Sequence, residues 1–221
     1  VRAYVRSKIG EDALPKLYWS TENPSDIPFD ALPGAFVVKP THGSGWVQFV
    51  SDGTSLDRDE LIKTCKWWLK QSLYRLTHER IYRNLKPAIL VEEFINARSR
   101  HPPDDYKFYV FDGKVEMAEM LTGRFTQLRS NLFDRNWRRL EVEYSKIPPL
   151  SGDVPAPKHL DEMIRMAEIL GRECEFVRVD LYDSEEKAYF GELTVSPGAG
   201  LATFKPPSYD LYLGSLWPRA K

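Results

Sequence analysis

The sequence predicts an α+β protein of helices and mostly antiparallel strands. Three observations carry this. Three apolar stretches fold back on themselves about polar turns, four segments place apolar residues at helical spacing, and no internal repeat of solenoid length occurs.

Val1, Val5 and Ile9 stand at helical spacing with Arg2, Arg6 and Lys8 between them, and Gly10 follows as a stop. The chain thus opens inside a helix with no capping residue, which points to an upstream segment. Residues 14–33 are rich in Pro, Asp and Ser and read as an irregular connection into the apolar run 35–38, which Lys39 and Pro40 end. Thr41, His42, Gly43, Ser44 and Gly45 are too polar and flexible for a strand, and residues 46–50 resume the β pattern, so a hairpin with a glycine-rich tip is expected. Asp57 with Glu60 three residues on is a capping-box-like start for a helix through Leu69, and an amphipathic pattern runs on from Leu73 to Leu85.

Residues 88–95 form a short apolar run holding Glu92 and Glu93, which reads as a buried strand running out to a surface; a polar loop over 96–105 follows. Residues 106–111 and 114–121, joined by Asp112 and Gly113, give the strongest hairpin signal in the chain. Residues 133–144 read as further strand or turn, and 145–158, with four prolines, as a surface crossing. A helix is expected over 159–171 with Leu160, Ile164, Ala167 and Leu170 on its apolar face, then a last hairpin of 176–182 and 188–195, ended by Pro197 and Gly198.

Composition narrows the function. The 221 residues carry 31 Lys plus Arg against 32 Asp plus Glu, a formal charge of −1, which excludes a general electrostatic grip on nucleic acid. With 42% hydrophobic and 29% charged residues the chain is globular. It has no apolar run long enough to be a transmembrane segment and no signal-peptide core at its start. Cys65 and Cys174 match no metal or redox spacing, and so sparse a cysteine content points to a cytoplasmic location.

Polar groups set in apolar strands mark the candidate chemistry, because each needs a partner or a ligand. Lys39 closes a strand just before a Gly-Ser-Gly tip, which brings a cation and free backbone N–H groups together as phosphate oxygens require; the plain alternative is a strand-end lysine reaching water. Arg178 and Asp180 share one face of their strand while Val177, Val179 and Leu181 take the other, and Glu192 lies on the strand folded back alongside. Two carboxylates there call for a cation between them, and hard oxygens suit Mg²⁺; a buried ion pair of Arg178 with an acid is the metal-free alternative. Glu92, Glu93, Phe94 and Ile95 offer backbone groups at a strand exit that can pair with a purine edge. Lys107 sits in an aromatic strand opposite in face to Tyr106 and Phe108, and an exposed sheet face explains it equally well. His42 beside the tip reads as a phosphate contact or a plain turn histidine, and Trp67 with Trp68 as packing.

In this order, the phosphate lysine, Gly-rich hairpin, paired acids, second strand lysine, Arg-x-Asp, and Glu followed by Pro-Gly resemble the ATP-grasp superfamily. The runs Phe36-Val37-Val38-Lys39-Pro40-Thr41-His42-Gly43-Ser44-Gly45, Asp105-Tyr106-Lys107-Phe108-Tyr109-Val110-Phe111-Asp112-Gly113-Lys114 and Gly191-Glu192-Leu193-Thr194-Val195-Ser196-Pro197-Gly198-Ala199-Gly200 look like its teichuronopeptide-biosynthesis (TupA-like) family, over nearly the whole chain.

The resemblance implies the ATP-grasp fold, with two α+β lobes, residues 1–95 and 96–221, closing over a nucleotide cleft. It implies ATP and Mg²⁺ as cofactors. Lys39, His42, Gly43, Ser44 and Gly45 then serve the phosphates, Glu92, Glu93, Phe94 and Ile95 the adenine hinge, and Lys107 is the second phosphate lysine. Asp180, Glu192 and Thr194 hold the metal, and Arg178 with Lys107 forms the catalytic pair. The sequence departs from the superfamily in three places: Thr194 stands where an Asn is usual, no ribose-binding acid follows the hinge at Asn96, Ala97 and Arg98, and the usual N-terminal domain is absent or reduced to the first helix. The implied activity is a carboxylate–amine ligase acting through an acyl phosphate on small-molecule or glycan substrates in bacterial cell-surface polymer assembly. A small-molecule or glycan kinase and a degenerate nucleotide- or glycan-binding module are the alternatives, and homo-oligomerisation stays open.

Overall fold

The computed structural model describes residues 1–51, 55–95, 103–124, 126–145 and 147–217. It divides into two compact units, one of Pro15–Pro102 and the other of Val1–Leu14 with Pro103–Lys221. The first fourteen residues therefore go with the C-terminal unit rather than with the N-terminal lobe. The reason is packing. Helix α1 (Arg2–Ile9) buries Val5 completely in the core of that unit, and the Tyr4 hydroxyl donates to the Leu170 carbonyl at 2.8 Å.

The Pro15–Pro102 unit begins with β1 (Leu17–Thr21), a strand in a segment expected to be irregular. It pairs antiparallel with a later strand at the sheet edge and leaves Leu17 and Trp19 exposed, so the alternation that announces a half-buried strand is missing. The hairpin of β2 (Phe36–Pro40) and β3 (Gln48–Val50) follows, with Phe36 opposite Val50 and Val38 opposite Gln48. Helix α2 (Arg58–Lys70) is capped as expected, the Asp57 carboxylate accepting the Glu60 N–H at 2.9 Å. It buries Leu61, Cys65 and Trp68 against Phe36, Val38, Ile89 and Val91.

The helical pattern over 73–85 yields only α3 (Leu73–Thr77) and a turn at Arg80–Tyr82. His78 adopts a left-handed φ of 58° and stops the helix, and Leu76, Ile81 and Leu85 are exposed. Periodicity without a surface to pack on does not sustain a helix. Strand β4 (Ile89–Glu93) then enters the middle of an antiparallel sheet ordered β1-β4-β2-β3.

The second unit is built on β5 (Asp105–Phe111) and β6 (Lys114–Thr122), turned by Asp112 and Gly113 at φ 47° and 73°, the left-handed pair that a two-residue hairpin demands. Strand β7 (Arg129–Phe133) lies upstream of the strand or turn expected over 133–144, where only the two-residue β8 (Glu143–Tyr144) forms. Its polar Ser130 and Asn131 hide it in the sequence, although both are buried. Helix α4 (Leu160–Gly171) and the hairpin of β9 (Phe176–Asp183) and β10 (Ala188–Thr194) stand where expected. Strand β11 (Phe204–Lys205), paired with β8, and helix α5 (Ser208–Ser215) complete it.

The resulting five-stranded sheet, β10-β9-β5-β6-β7, is antiparallel throughout and has two unlike faces. One carries Phe108, Val110, Val177, Val179 and Leu181 and packs under Met163, Ala167 and Leu170 of α4. Gly171 lets α4 approach, since a Cβ there would lie 2.5 Å from Val110 Cγ1. The other face is apolar at one end, where Phe204 and Leu213 cover Tyr109, Phe111 and Met117, and polar at the other.

Leu170→Ala, at a fully buried position, should cost about 2–5 kcal/mol by urea denaturation, whereas Leu201→Ala, 83% exposed, should stay within about 0.5 kcal/mol. Burial pushes the Cys65 thiol up to about 11. The unfolded thiol therefore ionises first on alkalinisation, and stability carried by that proton is full below the ordinary thiol pKa and lost as pH rises toward 11. In Cys65→Ala the alkaline decline in melting temperature should be shallower than in the wild type.

Candidate active site

In the Pro15–Pro102 unit, the adjacent strands β2 and β4 bring Lys39 and Glu92 together, with Nζ 2.6 Å from the carboxylate. Glu92 is buried, while the Lys39 side chain keeps 35% of its exposure, so its ammonium can still reach a second anion. Glu93 holds the neighbouring strand entry: its carboxylate accepts the Lys16 N–H at 3.1 Å and its own N–H donates to the Lys16 carbonyl. Phe94 and Ile95 are buried, with Phe94 against Phe49 at a centroid distance of 5.1 Å.

At the hairpin tip, the His42 ring is buried and its Nε2 donates to the Trp68 carbonyl at 2.9 Å, which ties the loop to α2. Gly43 lies under the Trp46 ring, where a Cβ would come within 2.2 Å of Cε3, and Gly45 holds a φ of 74°. The tip thus needs glycine at both places, once for space and once for backbone conformation.

The polar half of the five-stranded sheet carries a charged row. Glu192 of β10, Asp180 of β9, Lys107 of β5 and Glu119 of β6 are successive cross-strand partners and so share one face, with Cβ atoms about 5 Å apart between neighbours. Lys107 Nζ lies 2.6 Å from Asp180 Oδ2, and Arg178 reaches both oxygens of Asp180, Nε to Oδ1 at 2.7 Å and Nη2 to Oδ2 at 2.8 Å. Burial of Asp180 pushes its pKa up, but the Lys107 ammonium and the Arg178 guanidinium outweigh this and hold it below the usual carboxylate range. Burial works against the charge of Arg178 in turn, and Asp180 more than restores it.

Lys107 is only 6% exposed, so an open sheet face does not account for it. Arg178 also donates to Thr194 Oγ1 at 3.1 Å. Asp105, at the start of β5, is buried and paired with Arg124 at 2.5 Å.

Glu119 is a buried member of this row that the sequence did not reveal. It is 2% exposed and accepts from Tyr109 Oη at 3.1 Å and Ser130 Oγ at 2.7 Å. Counting back from the Asp112-Gly113 turn puts Ala118 opposite Lys107 and Glu119 on the apolar face. A β-bulge between Tyr109 and Val110 shifts the register by one, and Glu119 comes round to the polar face. A second bulge, at Gly191, does the same for Glu192, which would otherwise oppose Val179.

The TupA-like ATPgrasp family model matches residues 1–217. The chain belongs to the TupA-like ATP-grasp family. Among solved structures it is similar to D-alanine–D-alanine ligase from Bacillus anthracis, at 17% identity over 96% of this chain and 61% of that one, with a TM-score of 0.51. It is also similar to L-amino acid ligase from Bacillus licheniformis, at 16% identity over 90% of this chain and 44% of that one, with a TM-score of 0.50. ATP-grasp ligase PsnB complexed with minimal precursor matches at 16% identity over 88% of this chain and 51% of that one, with a TM-score of 0.47. This chain therefore spans between 44% and 61% of those three. Comparison with curated protein sequences gives no match. The fold is ATP-grasp, α+β with open antiparallel sheets.

For an ATP-grasp chain the donor chemistry of the row can be tested against Mg²⁺. Asp180 offers about four lone-pair directions, of which three receive cationic donors, leaving one on Oδ1. Glu192 stands opposite on the same face and is exposed, and Thr194 adds a hydroxyl. Among the described residues no group of three or more His, Cys, Asp and Glu is arranged to hold a metal. Mg²⁺ characteristically takes one or two carboxylates and completes its shell with phosphate and water, so this donor set fits it.

Removing one cation from Asp180 leaves a buried charge half compensated. Lys107→Met should cost about 3–5 kcal/mol by chemical denaturation, against under about 1 kcal/mol for Glu192→Gln at its exposed position.

Proposed function

We propose that this protein is an ATP- and Mg²⁺-dependent carboxylate–amine ligase. The observation that carries the reading is the row Lys107, Asp180 and Glu192, with Arg178 bonded to its centre, on one sheet face of an ATP-grasp chain. The similarity to D-alanine–D-alanine ligase and L-amino acid ligase supports joining a carboxylate to an amine.

In this reading the substrate carboxylate attacks the γ-phosphorus of ATP, ADP leaves, and the amine then attacks the acyl carbon of the acyl phosphate and releases phosphate. Lys39 and Lys107 are the phosphate-binding lysines, and their positive charge offsets the negative charge that the transferring oxygens gain. Gly43, Ser44 and Gly45 present backbone N–H groups to phosphate, with His42 holding that loop through the Trp68 carbonyl. Glu92, Glu93, Phe94 and Ile95 supply the adenine-reading backbone. Arg178, kept protonated by Asp180, steadies charge at the reacting centre. Asp180, Glu192 and Thr194 hold Mg²⁺, which when bound offsets phosphate charge and fixes the phosphate's orientation. We assign it a place in bacterial cell-surface polysaccharide or peptidic-polymer assembly, in the cytoplasm, with small-molecule or glycan carboxylates and amines as substrates, and membership of the TupA-like family supports this reading. No helix of the described residues is long and apolar enough to cross a membrane.

Thermal melts with and without ATP and MgCl₂ test this. At about 100 times the dissociation constant a ligand adds about 2.7 kcal/mol, and each kcal/mol moves the melting point of a chain this size by about 2–4 °C. The rise should depend on Mg²⁺ and vanish in Lys39→Ala and Glu192→Ala. Hydroxylamine should trap an acyl hydroxamate during turnover. ADP release with a phosphorylated product and no hydroxamate would instead make the protein a kinase, and no melting shift at millimolar ATP would leave a binding module without turnover.

A further inference from the structure

Charge is balanced over the whole chain but not along it. Residues 63–86 hold seven lysines and arginines against the single acid Glu79, a net charge of +6 in a chain whose total is −1, so the other residues sum to −7. On α2, Lys63, Lys66, Trp67 and Lys70 stand at i, i+3, i+4 and i+7 and so share one exposed face, opposite the buried Leu61, Cys65 and Trp68. Arg75, Arg80, Arg83 and Lys86 carry the charge on through α3 and the turn after it, and all four are exposed. Lys86 pairs with Glu22, and the Arg83 guanidinium lies 5.8 Å over the Tyr74 ring. Lys63, Lys66, Lys70, Arg75 and Arg80 meet no acid among the described residues.

The same stretch holds four of the six large apolar side chains that the described residues of this unit leave exposed, Trp67, Leu76, Ile81 and Leu85. Leu76 is 71% exposed, and Trp67 is 54% exposed although it touches Trp46. Leu76, Ile81 and Leu85 belong to the helical pattern over 73–85 that finds no protein surface to pack on, and such a cluster of exposed apolar groups marks an interaction surface.

Cations without acids and aliphatic side chains without a core call for an occupant that meets both. A soluble polyanion uses only the charges. A protein groove takes a continuous helix with anchors at i, i+3 or i+4 and i+7, and here His78 breaks α3 after five residues. A bilayer with anionic headgroups over acyl chains meets the charges and the aliphatic groups together and needs no matching shape.

We propose that residues 63–86 form a docking surface for an anionic lipid bilayer. Lys63, Lys66, Lys70, Arg75 and Arg80 lie against the headgroups, while Leu76, Ile81 and Leu85 enter the acyl boundary. The surface goes beyond the ligase reading and depends on neither ATP binding nor turnover.

Flotation of the full chain with lipid vesicles tests the assignment. Vesicles of phosphatidylglycerol in phosphatidylcholine should carry the protein, and vesicles of phosphatidylcholine alone should not. Lys66→Gln, Lys70→Gln, Arg75→Gln and Arg80→Gln together should weaken that binding about 100-fold or more, at about fivefold for each cation near the surface. The same change at Lys114, Arg138, Arg165 and Lys205, exposed on the other unit, should leave it unchanged. Leu76→Ser with Ile81→Ser keeps every charge and should weaken binding about tenfold or more. All of these positions are exposed, so the variants should melt with the wild type. Absence of phosphatidylglycerol-dependent flotation at about 0.1 M salt would overturn the proposal, as would binding lost equally in the variant of the other unit. Binding that ignores Leu76→Ser with Ile81→Ser and is displaced by single-stranded RNA would make the stretch a polyanion site and would sink the lipid assignment as surely.

Discussion

One carboxylate, Asp180, sets the terms for the polar face of the larger sheet. A charge that deeply buried is tolerated only when its oxygens are met, and here three cationic contacts from Lys107 and Arg178 meet them. The same contacts fix two long side chains that would otherwise cost rotamer entropy to hold. Glu119 extends the arrangement beyond Lys107, with Tyr109 and Ser130 satisfying its oxygens. Each buried member of the row therefore has its partner, and its charge is held in position before any substrate arrives.

The smaller unit handles its charge differently. Its pair of Lys39 and Glu92 is buried at the acid and open at the base, so the lysine is aimed without being consumed. Polar side chains elsewhere in that unit serve to hold backbone. Glu93 fastens β4 to Lys16, and His42 fastens the glycine tip to α2. Sequence alone shows that such residues are polar, not whether they face a ligand or a neighbouring carbonyl.

Much of the architecture was legible because hydrophobic pattern and turn chemistry agree. The Asp112-Gly113 turn, the Asp57 cap and the 159–171 periodicity each produced the element expected. Strand β1 was not legible because an exposed edge strand lacks a buried face, and β7 was not because its buried Ser130 and Asn131, one on each face, are held by hydrogen bonds to Glu119 and from the Leu150 N–H rather than by apolarity. The segment after Leu73 misled for the opposite reason, having helical spacing but nothing to pack on. Of the candidate residues on the larger sheet, Lys107, Arg178, Asp180 and Glu192 were readable as charges in apolar strands. Glu119 was invisible because its register depends on an extra residue in the hairpin, which no local pattern announces.

The bulge at Gly191 makes β10 a counting device. On a pleated strand the face of a side chain is a matter of odd or even, and every residue beyond Gly191 has had its parity reversed by that one position. Were Gly191 to pair as an ordinary strand residue, Glu192 would oppose Val179 in the aliphatic layer beneath α4 and Leu193 would turn to the Asp180 face, with no change to any chemically interesting residue. In this hairpin the unpaired step between Phe190 and Glu192 is as much a part of the chemistry as the identity of Glu192 itself.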